Sequence, residues 1–178
     1  MKLKSLLIST ICLLAPFTAS AQSDYFFPEG SRFDRRIPTP EQYLGYSIGT
    51  LHTRHDAIVG YMRELARVSN RAKLDTIGET YEHRQLVVLT VTSPDNHDNL
   101  EQIRQDHLKL VDPTSKEEDY AGQKSVVLLG YNVHGNEPSS SEAALLTAYY
   151  YVAGQHAEVR DALDESVIMI DPAFNPDG

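Results

Sequence analysis

From Ser125 to Gly130 the chain reads Ser-Val-Val-Leu-Leu-Gly, and Val167–Ile170 repeats the pattern of an unbroken apolar run of strand length. Runs without alternation suit strands buried on both faces of a parallel or mixed sheet. Leu86–Thr92 is a β-branched run that fits a central strand, and Leu74–Glu79 is a shorter one before it. Together they predict strands over 74–79 and 84–92 joined at Thr80–His83, with Gly78 marking a bulge. Elsewhere the apolar period is that of a helix. It predicts a helix over His52–Ser69, with Ile58, Met62, Leu65 and Ala66 on one stripe. It predicts another over Asn99–Val111, with Leu100, Ile103, His107, Leu108 and Val111 inward. A third, from Pro138 or Ser139 to Gly154, is apolar over most of its surface and should be well buried. Ser139 and Glu142 stand at capping-box spacing, and Pro138 suits a helix start. Ala157–Leu163 reads as a short helical turn, and Tyr149-Tyr150-Tyr151 as helix packing. Strand, helix and strand in alternation give an α/β fold: a mixed sheet with helices on both faces.

The beginning of the chain carries other signals. Lys2 and Lys4 precede the apolar stretch Leu6–Phe17, and Ala19-Ser20-Ala21 offers small residues for cleavage. Residues 1–21 therefore read as a secretory signal peptide. Pro16 interrupts the run, which is shorter than the roughly 20 residues of a membrane span. The expected localisation is secreted or periplasmic, with no membrane attachment after cleavage. Residues 22–50 form an aperiodic lead rich in Pro, Gly and aromatics, with a turn of helix at Pro40–Leu44. An ordered arm and a pro-segment are the two readings of it. Residues 51–178 make the domain proper.

Charge narrows the partners. The net charge is −9, and losing Lys2 and Lys4 with the leader makes it −11. An acidic chain of this kind is a poor candidate for nucleic acid or an anionic membrane. Its one cysteine, Cys12, lies in the leader, so an exported domain must fold on its apolar core without a disulfide. The chain stops at Asn175-Pro176-Asp177-Gly178, turn chemistry that normally leads to another element. A truncated domain, the N-terminal part of a longer protein, is expected.

The chemistry concentrates after the strand ending at Gly130, in Tyr131-Asn132-Val133-His134-Gly135-Asn136-Glu137-Pro138. In open α/β sheets ligands bind at the carboxyl ends of strands. An imidazole and a carboxylate three residues apart can turn to one point where the backbone begins to coil, and zinc accepts both donors. Gly135 between them permits an unusual backbone angle or a close approach. No other histidine here has a glutamate three residues later. In HExxH sites the glutamate is the base, whereas in this spacing it would be a ligand. His52 and His55 read as helix-end residues, and His107 as a packed helix histidine.

Val133-His134-Gly135-Asn136-Glu137, followed after the next strand by Asn175-Pro176-Asp177-Gly178, resembles the zinc carboxypeptidase family. Ile77-Gly78-Glu79-Thr80-Tyr81-Glu82-His83-Arg84 looks like that family's hairpin, departing from it at the flanks of Thr80, with nothing catalytic resting on it. The resemblance spans about residues 38–178. It implies His134 and Glu137 as ligands of Zn2+, a peptide or protein C-terminus as substrate, and hydrolysis of C-terminal peptide bonds. It places a second histidine ligand, the glutamate base and the substrate-binding arginines beyond Gly178, so this chain holds no catalytic base and should be inactive alone. Gly135 and Asn136 stand where digestive members have Ser and Arg; Asn136 is a candidate substrate contact or a structural residue. Two other readings share the pattern: a zinc-dependent deacylase of small amides, and a non-catalytic secreted binding protein on the same fold.

Overall fold

The computed structural model describes residues 25–115 and 122–178. The signal-peptide reading of residues 1–21 lies outside them. In order, the elements are α1 (Pro40–Leu44), α2 (His55–Val68), β1 (Ala72–Glu79), β2 (Gln85–Val91), α3 (Pro94–Asp98), α4 (Leu100–Val111), β3 (Ser125–Gly130), α5 (Pro138–Ala153), α6 (Ala157–Glu165) and β4 (Ser166–Asp171). The strands form a mixed sheet in the order β1-β2-β4-β3. β1 and β2 are an antiparallel hairpin whose register shifts between Thr76 and Gly78, the bulge expected at Gly78. β2 runs antiparallel to β4, and β3 runs parallel to β4 from Ser125↔Ser166 to Gly130↔Asp171. The crossover that joins β3 to β4 is α5 with α6, the connection a parallel pair needs.

The core lies between one sheet face and two helices. Leu89 pairs with Ile170 and Val91 with Ile168, so these four share a face. They pack with Ile58, Tyr61, Met62 and Leu65 of α2 and with Ala144, Leu145, Ala148, Tyr149 and Val152 of α5. A fully buried aliphatic side chain contributes about 1.5–3 kcal/mol over an exposed one. That term orients α2 by its stripe and leaves α5, apolar nearly all round, in the middle of the layer.

From Phe27 onward the lead packs against this core. Thr39 caps α1 by accepting from Gln42 N–H, and the Gln42 side chain accepts in return from Thr39 N–H. Tyr61 donates its hydroxyl to Pro38 O at 2.9 Å. Phe33 bridges to Gly154 and stacks near Tyr149, with ring centroids 4.9 Å apart. Tyr150 packs on Phe27 and Tyr149 enters the core, so the tyrosine run is packing.

Four sequence expectations need correction. β3 is an edge strand, not one buried on both faces: Val126, Val127 and Leu128 are exposed, Leu128 by 58%. An apolar run fits a doubly covered strand but does not supply the cover. α4 buries none of its residues, and Leu108 and Val111 of its predicted inward stripe face solvent, Val111 by 76%. Its period is helical, but in its second half only Asp106 and His107 are even half-buried, His107 against Lys124 O. Between the expected strand ending at Thr92 and the expected helix from Asn99, where no element is predicted, the chain forms a short helix, α3, capped by Ser93. Ser139 and Glu142 do not form a capping box. The N-cap position of α5 is Glu137, and Glu142 is 5% exposed with long-range partners. It accepts from Gly49 N–H at 2.8 Å and from the Thr53 hydroxyl at 2.7 Å, while Thr53 accepts from the Tyr46 hydroxyl at 3.0 Å. A buried carboxylate keeps its place only with such donors, so the second turn of α5 is tied to the lead.

Candidate metal site

Past β3 and β4 the two chains stay hydrogen-bonded after the regular strands end. Tyr131 N–H donates to Asp171 O at 3.0 Å, Phe174 N–H to Tyr131 O at 2.9 Å, and Asn175 N–H to Asn132 O at 3.1 Å. The parallel register thus carries the loop after β3 and the turn after β4 out of the sheet side by side. The two strand ends are therefore juxtaposed.

The His134–Glu137 turn is closed by Glu137 N–H donating to His134 O at 3.0 Å. Its side chains converge, with His134 Nδ1 3.3 Å from Glu137 Oε1, and both are open to solvent at 71% and 59% exposure. Gly135 serves close approach: a Cβ there would overlap Asn175 O and lie 2.6 Å from the Cα of Gly178. Asn136 sits in the turn with its side chain exposed. His52 is exposed at the approach to α2, and His55 Nε2 donates to Gln85 O at 2.8 Å. His107 Nε2 lies 2.6 Å from Lys124 O. Among the described residues, no group of three His, Cys, Asp or Glu converges as a metal site would require. The structure therefore brings together the two residues named from sequence and joins no third to them.

Asp177 anchors the terminal turn. The Thr80 hydroxyl (2.8 Å), Arg84 Nη1 (2.5 Å) and Glu82 N–H (3.2 Å) all donate to its carboxylate. Burial would raise its pKa, but these donors outweigh it and hold the carboxyl below its ordinary value. Thr80 and Arg84 thus bind the β1–β2 hairpin to the turn after β4, a role the sequence did not reveal. Asp171, buried at the end of β4, is pushed up by desolvation, opposed by a bond from Ala173 N–H. A cleft of about 750 Å3 lies along the first turn of α2 and reaches Asn132, Gly135, Ser141 and Gly178.

Asn132 is the other residue that sequence reasoning passed over. It is 7% exposed and holds a left-handed backbone at φ 56°. Asparagine adopts that region more readily than most residues. A polar residue between an apolar run of strand length and the His134–Glu137 turn was the available signal.

The model of the zinc carboxypeptidase family matches residues 58–178, so the chain belongs to the zinc carboxypeptidase family. Among solved structures it is similar to carboxypeptidase A from Helicoverpa armigera, at 18% identity and a TM-score of 0.52. That match covers 81% of this chain and 28% of the other, so the chain spans under a third of that protein's length. Thrombin activatable fibrinolysis inhibitor is also similar, at 19% identity and a TM-score of 0.49, over 88% of this chain and 30% of that one. No curated protein matches the chain. The mixed α/β architecture is a carboxypeptidase fold. Among the described residues no helix is long and apolar enough to cross a membrane.

Proposed function

We propose that this chain is the N-terminal part of a secreted zinc metallocarboxypeptidase and that His134 and Glu137 are two of its zinc ligands. The observation that carries the proposal is the 3.3 Å approach of an accessible imidazole nitrogen to an accessible carboxylate at the carboxyl end of a parallel strand pair. This donor set suits zinc, which takes histidine nitrogen and carboxylate oxygen. When bound, zinc would lower the pKa of a water to roughly 7 and polarise a scissile carbonyl.

The chain's own residues would contribute position and selectivity. His134 and Glu137 supply one neutral and one anionic donor from a single turn. Gly135 lets that turn lie against Gly178, and Asp177 fixes the terminal turn to the hairpin through Thr80 and Arg84. Asn136, exposed between the ligands, would hydrogen-bond a substrate amide or serve the turn's structure. A third ligand and the proton-accepting glutamate belong to sequence after Gly178, so the 178-residue chain should not turn over substrate. Residues 1–21 direct export, and 51–178 begin the catalytic domain.

Zinc titration of the chain tests the ligand pair: binding should be weak and should disappear in His134→Ala. Zinc binding of equal strength in that variant would sink the assignment. For the longer protein, a screen of unblocked peptides against acyl-amino-acids separates peptidase from deacylase, and turnover of acyl-amino-acids alone would favour the second.

A further inference from the structure

The side chain of Asn132 does more than tolerate a left-handed backbone. With its amide nitrogen toward the following turn, it donates to His134 O at 2.8 Å and to Glu137 O at 3.1 Å. A primary amide has two N–H donors, and both are used on the carbonyls of the two residues that converge. Its Oδ1 lies 3.1 Å from Ser141 Oγ, which also reaches Pro172 O at 3.0 Å; the one hydroxyl proton serves one of them. Its backbone N–H donates to Ser140 Oγ at 2.7 Å. The Asn132 side chain is therefore buried among the ends of the turn, the start of α5 and the turn after β4.

We infer that Asn132 is a positioning residue for the His134–Glu137 pair: its amide holds the two carbonyls at a fixed separation and so presets the approach of the two side chains. The inference rests on the zinc-ligand reading of that pair. It adds that Asn132 must be an asparagine and not merely a residue able to adopt positive φ. Glycine would accept the backbone without strain but leave both carbonyls without the amide. Aspartate keeps the shape and turns an acceptor toward two acceptors, which repel it. Partners that orient metal ligands typically contribute tenfold or more to metal affinity.

The test uses the 178-residue chain, with zinc titrated while the His134 ring is followed by NMR. Hydrogen exchange of the Glu137 amide is measured without metal. Asn132→Gly should weaken zinc binding about tenfold and Asn132→Asp at least as much, with faster Glu137 exchange in both. Leu145→Ala, a core lesion, serves as the control for a general loss of stability. Wild-type zinc affinity in Asn132→Gly would overturn the inference, as would an equal loss of affinity in Leu145→Ala. If His134→Ala leaves zinc binding intact, the zinc reading fails instead. The template is then decided by metal-free exchange alone: faster Glu137 exchange in Asn132→Gly supports it, and unchanged exchange overturns it.

Discussion

Arg84 Nη1 lies 2.5 Å from Asp177 Oδ1, joining the start of β2 to a turn 93 residues later. The Thr80 hydroxyl and Glu82 N–H complete the ring of donors around that carboxylate. A depressed folded pKa stabilises the native state above the unfolded value and loses that contribution as pH falls through the folded value. The ordinary aspartate value is 3.8 and Asp177 lies below it. Its contribution is therefore complete above the ordinary value and is lost as pH falls from there through the lower folded value. Asp177→Asn should lower the urea midpoint at neutral pH and flatten the acid limb of the stability profile. An unchanged acid limb would count against this role.

Gly135 meets backbone, not a movable side chain. A Cβ there would lie 2.6 Å from both the N and Cα of Gly178 and would overlap Asn175 O. Gly135→Ala should cost about 1–3 kcal/mol, the usual range for overpacking. Urea denaturation of the variant measures it, and a change below about 0.5 kcal/mol, typical of surface substitutions, would show that the two loops separate freely.

The two apolar stripes make opposite predictions. Leu145 is fully buried in α5, so Leu145→Ala should cost about 2–5 kcal/mol. Leu108 lies on the expected inner stripe of α4 but is exposed, so Leu108→Ala should change stability by no more than about 0.5 kcal/mol. Comparable losses in thermal unfolding would restore the sequence reading of α4.

Glu142→Ala removes the acceptor for Thr53 and Gly49. Each buried donor left unpaired costs about 1–3 kcal/mol, and Glu142→Gln should recover part of the loss because one oxygen still accepts. Limited proteolysis should also cut the exposed Thr50–His52 segment faster in the alanine variant. Equal cleavage would mean that the lead is held in place without Glu142.

Much of this architecture was legible because it depends on local rules. Apolar period placed α2 and α5, turn chemistry placed the hairpin, and Gly78 announced its bulge. The His134–Glu137 pair was visible because both donors fall within one turn. What escaped depends on partners distant in sequence. The capping-box spacing of Ser139 and Glu142 is a valid local pattern, yet Gly49 and Thr53, about ninety residues away, claim the carboxylate. Asn132 and Thr80 look like ordinary loop residues until β3 and β4 are set side by side and the hairpin is folded over their ends. The stripe on α4 and the run in β3 show the converse: sequence records which surfaces can be buried, and only packing decides which are.

The parallel register of β3 and β4 also governs where the chain can change in length. The legs after β3 and β4 leave the sheet at one level and are laced together by backbone bonds from Tyr131 to Asp171, Phe174 to Tyr131 and Asn175 to Asn132. An insertion in either would carry one motif past the other. The long return through α5 and α6 is different: at Gln155–His156, between the two helices, added residues would break the bond from Gln155 N–H to Arg32 O and move the His156 ring off Tyr150, loosening the lead while the two motifs keep their alignment.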